Sequence, residues 1–314
     1  MWQSALLQAD VPQSERLTPR DGGRTVHKKG NINYFKLLVI CPEKPGIISA
    51  VSNVLLEHQA NIVQFDQHTT NPKDGIFFMR IEFDMEEGDA ALERLEQGLQ
   101  QLSQTYPMEW QLKNKAKAKR MAIFVSKADH CLMELIWRWK SKELPVEISM
   151  VISNHPDLKD IVESYGIPYC HIPLSHETKE EAEHKAMELL EGKVDFIVLA
   201  RYMQILSPGF IAKYPNQIIN IHHSFLPAFV GANPYVRAFN RGVKLIGATA
   251  HYVTNELDEG PIIEQDILRV NHRYTAEDLK IAGRHVERSV LAEAVSWHVE
   301  DKIIVHGNKT IVFT

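Results

Sequence analysis

Short apolar runs, rich in β-branched residues, recur through the second half of the chain with room for one helix between successive runs. They are Ala122-Ile123-Phe124-Val125, Val146 to Ile152, Phe196-Ile197-Val198-Leu199-Ala200 and Ile218-Ile219-Asn220-Ile221. The intervening stretches 129–142, 156–165 and 179–190 read as helices. Buried strands alternating with helices predict right-handed crossovers and an α/β fold, a Rossmann-like, mostly parallel sheet with helices on both faces. A sheet of that kind binds its ligand beyond the carboxyl ends of the strands. The residues following Ala200 and Ile221 are therefore where chemistry is expected. Further on, Ile246 to Val253 alternates like a strand. Thr275, with Asp278 three positions later, caps a long helix running to about Trp297. Two short apolar runs, 303–305 and 310–313, flank His306-Gly307-Asn308-Lys309 as a closing hairpin.

Residues 33–112 follow a different rhythm, a ferredoxin-like βαββαβ unit. Strands are expected at 34–40, 61–70, 76–83 and 108–112, with helices opening at Pro45-Gly46 and spanning 90–102. Between the two parts, residues 113–120 hold five positive charges and nothing large and apolar, which reads as a solvated basic linker. Residues 1–32 read as a disordered tail, and residues 121–314 form the larger domain. Apolar residues at 44% and charged residues at 24% supply an ordinary globular core for both parts.

Several function classes are disfavoured. A net charge of −5 gives nucleic acid no electrostatic footing. Trp137-Arg138-Trp139 fits two faces of a helix better than a base-stacking platform. No run is long and apolar enough to cross a membrane, so no membrane partner is expected. Three irregularly spaced cysteines, Cys41, Cys131 and Cys170, suggest reduced thiols and a cytoplasmic protein. The first strand of the larger domain is followed by Ser126-Lys127-Ala128-Asp129-His130, with no glycine-rich phosphate loop, and no P-loop pattern occurs anywhere.

The densest polar cluster is Asn220-Ile221-His222-His223-Ser224, where a strand ends. Two residues apart on a strand, Asn220 and His222 share a face, and an amide beside an imidazole suits a carbonyl oxygen that gains negative charge. Asp258, ahead of Gly260-Pro261, is the candidate to orient the imidazole and hold a water. The residues by themselves leave alternatives open: a turn-capping Asn220, a turn Asp258, a structural His223, or a zinc site built from His222, His223 and His251.

Asn220-Ile221-His222-x-Ser224-x-Leu226-Pro227-x-Phe229-x-Gly231, then Gly247-Ala248-Thr249-x-His251-x-Val253 and Leu257-Asp258-x-Gly260-Pro261-Ile262-Ile263, resemble the folate-dependent formyltransferase and hydrolase family. Glu43-Lys44-Pro45-Gly46-Ile47 within the βαββαβ unit resembles an ACT domain. The pairing of the two, with His-His-Ser at 222–224, resembles the hydrolytic branch of that family. The resemblance implies hydrolysis of 10-formyltetrahydrofolate to formate and tetrahydrofolate, supplying formate for purine synthesis and balancing one-carbon folate pools. It implies that Asn220 and His222 polarise the formyl oxygen, that Asp258 assists, and that His251, His223 and Ser224 support them. The pterin would sit on Arg201, Met203, Gln204, Ile205 and Leu206, with the loop's backbone meeting the ring, and Glu256 and Leu257 would close the other wall. No metal and no permanently bound cofactor are implied; folate is the substrate. A small amino-acid effector at the ACT domain and a homo-oligomer are further implications. A transferase to a small amine, and a sensor with an inert catalytic half, are the competing readings. The first lacks a phosphate cradle after the first strand, and the basic domain of the tRNA-directed relatives has no counterpart here.

Overall fold

A computed structural model describes residues 32–86, 89–115, 117–175, 178–227 and 234–314. Most of the expected tail, together with Phe229 and Gly231 of the motif, lies outside the described residues.

The smaller domain runs β1 (Ile32–Pro42), α1 (Ile47–Glu57), β2 (Asn61–Thr69), β3 (Ile76–Glu86), α2 (Asp89–Thr105) and β4 (Glu109–Asn114). Its sheet has the order β2-β3-β1-β4 with every pair antiparallel. β1 is apolar on both faces because both are covered. Phe35, Leu37, Val39 and Cys41 pack with Ile47, Val51, Leu95 and Leu99 of the helices. Leu38 on the opposite face joins Phe78, Ile304 and Phe313. Gly46 enters α1 with φ +93°, a left-handed turn that glycine adopts without Cβ strain.

The larger domain begins with β5 (Lys119–Val125), α3 (His130–Lys140), β6 (Val146–Ser153), α4 (Lys159–Ser164), β7 (Tyr169–His171), α5 (Lys179–Leu190) and β8 (Phe196–Leu199). It continues through α6 (Pro208–Ile211), β9 (Ile218–His222), α7 (Pro234–Arg241), β10 (Leu245–Tyr252), β11 (Ile262–Arg269) and α8 (Ala276–Val299), and closes with β12 (Ile303–His306) and β13 (Lys309–Val312). The seven-stranded sheet has the order β11-β10-β9-β8-β5-β6-β7. Strands β5 to β9 pair in parallel, whereas β10 and β11 are antiparallel. One face is covered by α3 and α8, around Leu132, Leu135, Val290 and Leu291. The other is covered by α5 and α6, around Ala186, Leu190 and Phe210. The chain leaves β5 for β6 and β7, then returns to lay β8 on the other side of β5. That reversal opens a crevice at the carboxyl ends of β5 and β8.

The basic octet is less of a linker than its composition suggests. Residues 113–114 finish β4 and 119–120 open β5. Lys119 Nζ lies 2.6 Å from Asp301 Oδ1, and Lys36 Nζ donates to Glu300 O at 2.6 Å and pairs with Asp301 at 3.3 Å. Arg80 Nε donates to Asp301 O at 2.9 Å. Lys36 and Arg80 thereby satisfy carbonyls just past the C-terminus of α8, where the helix dipole is negative, and join the two domains. Desolvation makes the charged form of both lysines harder to hold, which lowers their pKa values despite Asp301.

Candidate active site

Strand geometry brings the expected residues together. In β9, Ile221 enters the core, so its neighbours Asn220 and His222 leave on the other face. β10 runs antiparallel beside β9, with His251 opposite Asn220 and Thr249 opposite His222. The cross-strand pair is bonded: Asn220 Nδ2 and His251 Nε2 are 3.2 Å apart. His251 Nδ1 lies 2.9 Å from Tyr252 O, which requires an N–H at Nδ1. Its Nε2 therefore accepts from Asn220, and the second amide hydrogen of Asn220 remains for the cleft. Burial pushes the His251 pKa down, which keeps that acceptor neutral.

Asp258 arrives on the loop between β10 and β11. Its Oδ1 lies 3.2 Å from His222 Nδ1 and 3.8 Å from His251 Nε2. The loop is seated by Gly260, where a Cβ would stand 1.8 Å from Tyr252 O. Burial raises the Asp258 acid, but the hydrogen bond from His222 and the surrounding imidazoles outweigh it, so the pKa is lowered and the group is a carboxylate. Nε2 of His222 is buried without a hydrogen-bond partner among the described residues. Thr249 steadies the turn after β9, accepting from Leu226 N at 3.0 Å and donating to Ser224 O at 3.0 Å.

These groups line a cleft of about 720 Å³. Met203 and Ile205 on one lip and Leu257 on the other are 57%, 59% and 58% exposed, an apolar slot that the described residues leave uncovered. Gln204, Arg201 and Glu256 also line it. Leu206 touches only its base, being buried with Phe210 in the core. The backbone N–H groups of Arg201 and Met203 turn inward, to Leu199 O and Ser126 Oγ, both at 3.1 Å. Ser224 lines an adjoining cavity of about 260 Å³. His223 faces the main cleft; burial, with the Arg201 charge nearby, lowers its pKa to about 4, so it is a neutral ring.

A second polar group in the cleft was not legible in the sequence. Glu287 of α8 is 2.8 Å from His130 Nε2, 3.4 Å from Arg201 Nε, and accepts from Tyr235 Oη at 2.5 Å. His130, Tyr235 and Glu287 carry no local motif. The one available signal is Gly283, one turn before Glu287, where a Cβ would stand 2.1 Å from Tyr235 Oη.

Both ring nitrogens of His251 are engaged, so the three-histidine arrangement is not formed. His130, Cys131 and Glu287 are the one trio among the described residues with ligand atoms within 4.8 Å of one another. Burial pushes the Cys131 thiol well up, however, and Glu287 already faces a guanidinium. No helix among the described residues is long and apolar enough to cross a membrane.

The formyl transferase family model matches residues 119–295 and the ACT domain model residues 36–97. A formyltetrahydrofolate deformylase of Bacillus subtilis is 56% identical over 288 residues, covering 91% of this chain and 96% of that protein. That of Escherichia coli K12 is 44% identical over 88% of this chain and 97% of its own length. The crystal structure of a formyltetrahydrofolate deformylase from Pseudomonas syringae superposes with a TM-score of 0.86 at 44% identity, covering 92% of this chain and 97% of that one. A glycinamide ribonucleotide transformylase from Symbiobacterium toebii matches 63% of this chain with a TM-score of 0.59 at 27% identity. With an ACT domain joined to a formyl transferase domain along nearly the whole length of such relatives, the chain belongs to the formyltetrahydrofolate deformylase family.

Proposed function

We propose that this protein hydrolyses 10-formyltetrahydrofolate to tetrahydrofolate and formate, with Asn220, His222 and Asp258 as the catalytic groups. The observation that carries the reading is the convergence of the Asp258 carboxylate and the Asn220 amide on His222 and His251, at one end of an apolar slot. The slot fits a flat pterin between Met203 and Ile205 on one side and Leu257 on the other.

The free hydrogen of the Asn220 amide and the Nε2–H of a His222 imidazolium, whose Nδ1–H is held by the Asp258 carboxylate, both address the formyl oxygen. Donors aimed where charge develops are worth more than donors that bind the ground state. Asp258 accepts a proton from the attacking water while it holds the His222 ring at Nδ1. As the tetrahedral intermediate collapses and its C–N bond breaks, the proton taken up by Asp258 passes to the folate nitrogen, and the remaining hydroxyl proton goes to solvent as formate departs as an anion. His251 acts through Asn220 and is a positioning residue. The formate so released would serve purine synthesis and balance one-carbon folate pools. A small amino acid at the ACT domain, and assembly into a homo-oligomer in the cytoplasm, complete the reading.

The test is incubation with 10-formyltetrahydrofolate, following tetrahydrofolate spectroscopically and formate with a coupled assay. Stoichiometric formate without any amine is expected. Formate-free turnover that starts only when an amine is added would identify a transferase instead.

A further inference from the structure

The Glu287 centre has no task in the hydrolytic steps, yet it forms part of the same cleft. Burial works to raise its acid, but His130, the Arg201 charge and Tyr235 hold the pKa below the usual carboxylate range, so it stands as an anion facing a guanidinium. The guanidinium is not saturated by that pairing. Nε and Nη1 of Arg201 are both buried, with no hydrogen-bond acceptor among the described residues. Buried donors of a charged group are rarely left in that condition, because their hydration has been lost without replacement. Arg201 also adopts φ +63°, a left-handed conformation that few non-glycine residues take and that concentrates at functional sites. Its carbonyl accepts from Ser126 N at 3.3 Å, which ties it across the crevice between β5 and β8.

We propose that Arg201 forms an anion subsite that receives formate as it leaves the Asn220–His222 pair. The inference rests on the hydrolytic reading for the source of the formate. Formate is a carboxylate, the class of anion that accepts charge-assisted hydrogen bonds from guanidinium N–H groups. The anion is released beside the Asp258 carboxylate, so like charge opposes its staying where it forms. Arg201, with its side chain 15% exposed, is the least exposed of the Lys and Arg residues among the described residues lining the cleft; Lys280 and Arg284 are exposed on α8 and mark the way out. Glu287 offsets part of the guanidinium charge, so the subsite holds the product weakly enough to release it.

The test titrates 13C-formate into the full-length resting protein by NMR and measures formate as a product inhibitor of turnover. Arg201→Gln is expected to raise the formate Kd by about tenfold or more, the loss of a charge-assisted pair, and to raise the formate product-inhibition constant by the same factor. Removing the cation leaves Glu287 buried and uncompensated, so the double variant Arg201→Gln/Glu287→Gln, neutral at both positions, is expected to show the same loss in a folded protein. In the wild-type protein, saturating formate is expected to move the 15Nε resonance of Arg201. An unmoved resonance, or a formate Kd unchanged in either folded variant, overturns the proposal. So does a variant that loses affinity for tetrahydrofolate but not for tetrahydropteroate, because the guanidinium then serves the glutamate tail. A protein that binds formate at Arg201 but releases none from 10-formyltetrahydrofolate retires the hydrolytic reading and leaves the anion subsite standing.

Discussion

Asp258 Oδ1 lies 3.2 Å from Nδ1 of His222, and the Asp258 backbone reaches that position at φ +59°, in the left-handed region. The carboxylate thus fixes the ring from one side and leaves Nε2 facing the cleft. Asp258→Asn keeps the shape and removes the charge. Formate release at saturating folate is expected to fall by about 10²–10⁴-fold, with KM little changed. Because the folded-state pKa is depressed, the carboxylate's contribution to stability is complete above the ordinary carboxylate range and is lost as pH falls through the lower folded value. Urea melts at low pH should therefore show less acid sensitivity in Asp258→Asn than in the wild type.

Asn220 loses more than one partner on truncation. Asn220→Ala removes the donor to the formyl oxygen and frees His251 Nε2, which now accepts from the amide at 3.2 Å. A fall in kcat of about 10²–10³-fold is expected, the range for one oxyanion donor. His251→Gln, acting through the amide, should cost less and be read as a smaller drop in kcat at constant KM. Equal losses would show His251 contacting the substrate directly.

Three histidines, His251 buried and His223 and His298 partly buried, set the acid stability of the folded chain. Burial lowers His223 to about 4, lowers His251, and takes His298 well below its ordinary value. The same rings protonate near about 6.5 in an unfolded chain. Between those values the unfolded chain binds more protons, so stability is complete above about 6.5 and declines toward about 4. His223→Gln should flatten the decline by about one proton, roughly 1.4 kcal/mol per pH unit. Denaturant melts across that window test it, and an unaltered slope would mean that His223 is solvated in the folded state.

Gly283 makes room for the Tyr235 ring, since a Cβ there would stand 2.1 Å from Tyr235 Oη and 2.3 Å from Cζ. Alanine is favoured over glycine by about 1 kcal/mol in a helix interior. The clash is with a ring that is 9% exposed and committed to Glu287, so it has little freedom to withdraw. Overpacking of this kind costs about 1–3 kcal/mol, and Gly283→Ala should be destabilising on balance. In a Tyr235→Ala background the same substitution should become neutral or stabilising, which chemical denaturation of the four proteins will show.

Patterns confined to one segment were legible in the chain itself. Alternation and β-branching marked β1, β5, β8, β9 and β10, and Thr275 with Asp278 marked the start of α8, where both capping hydrogen bonds are present. The Asn-x-His face of β9 followed from strand geometry alone. β7 has three residues, too few to carry a period. β11 is an edge strand with a mixed burial pattern, so burial did not impose a clean alternation on it. Lys119 and Arg120 looked like linker because charge signals solvent locally, whereas Asp301 and Asp195 supply their partners from far along the chain.

The sequence by itself determined the two domains, the parallel sheet and the strand end where Asn220 and His222 share a face, because periodicity and turn chemistry act over a few residues. Tertiary structure decided which distant groups meet them. Asp258 reaches His222, and His130, Arg201 and Tyr235 reach Glu287, because strand order and the course of α8 bring their backbones together. No local pattern encodes that meeting; its energy comes from burying charged and polar groups against one another, which exists only once the sheet has closed over them.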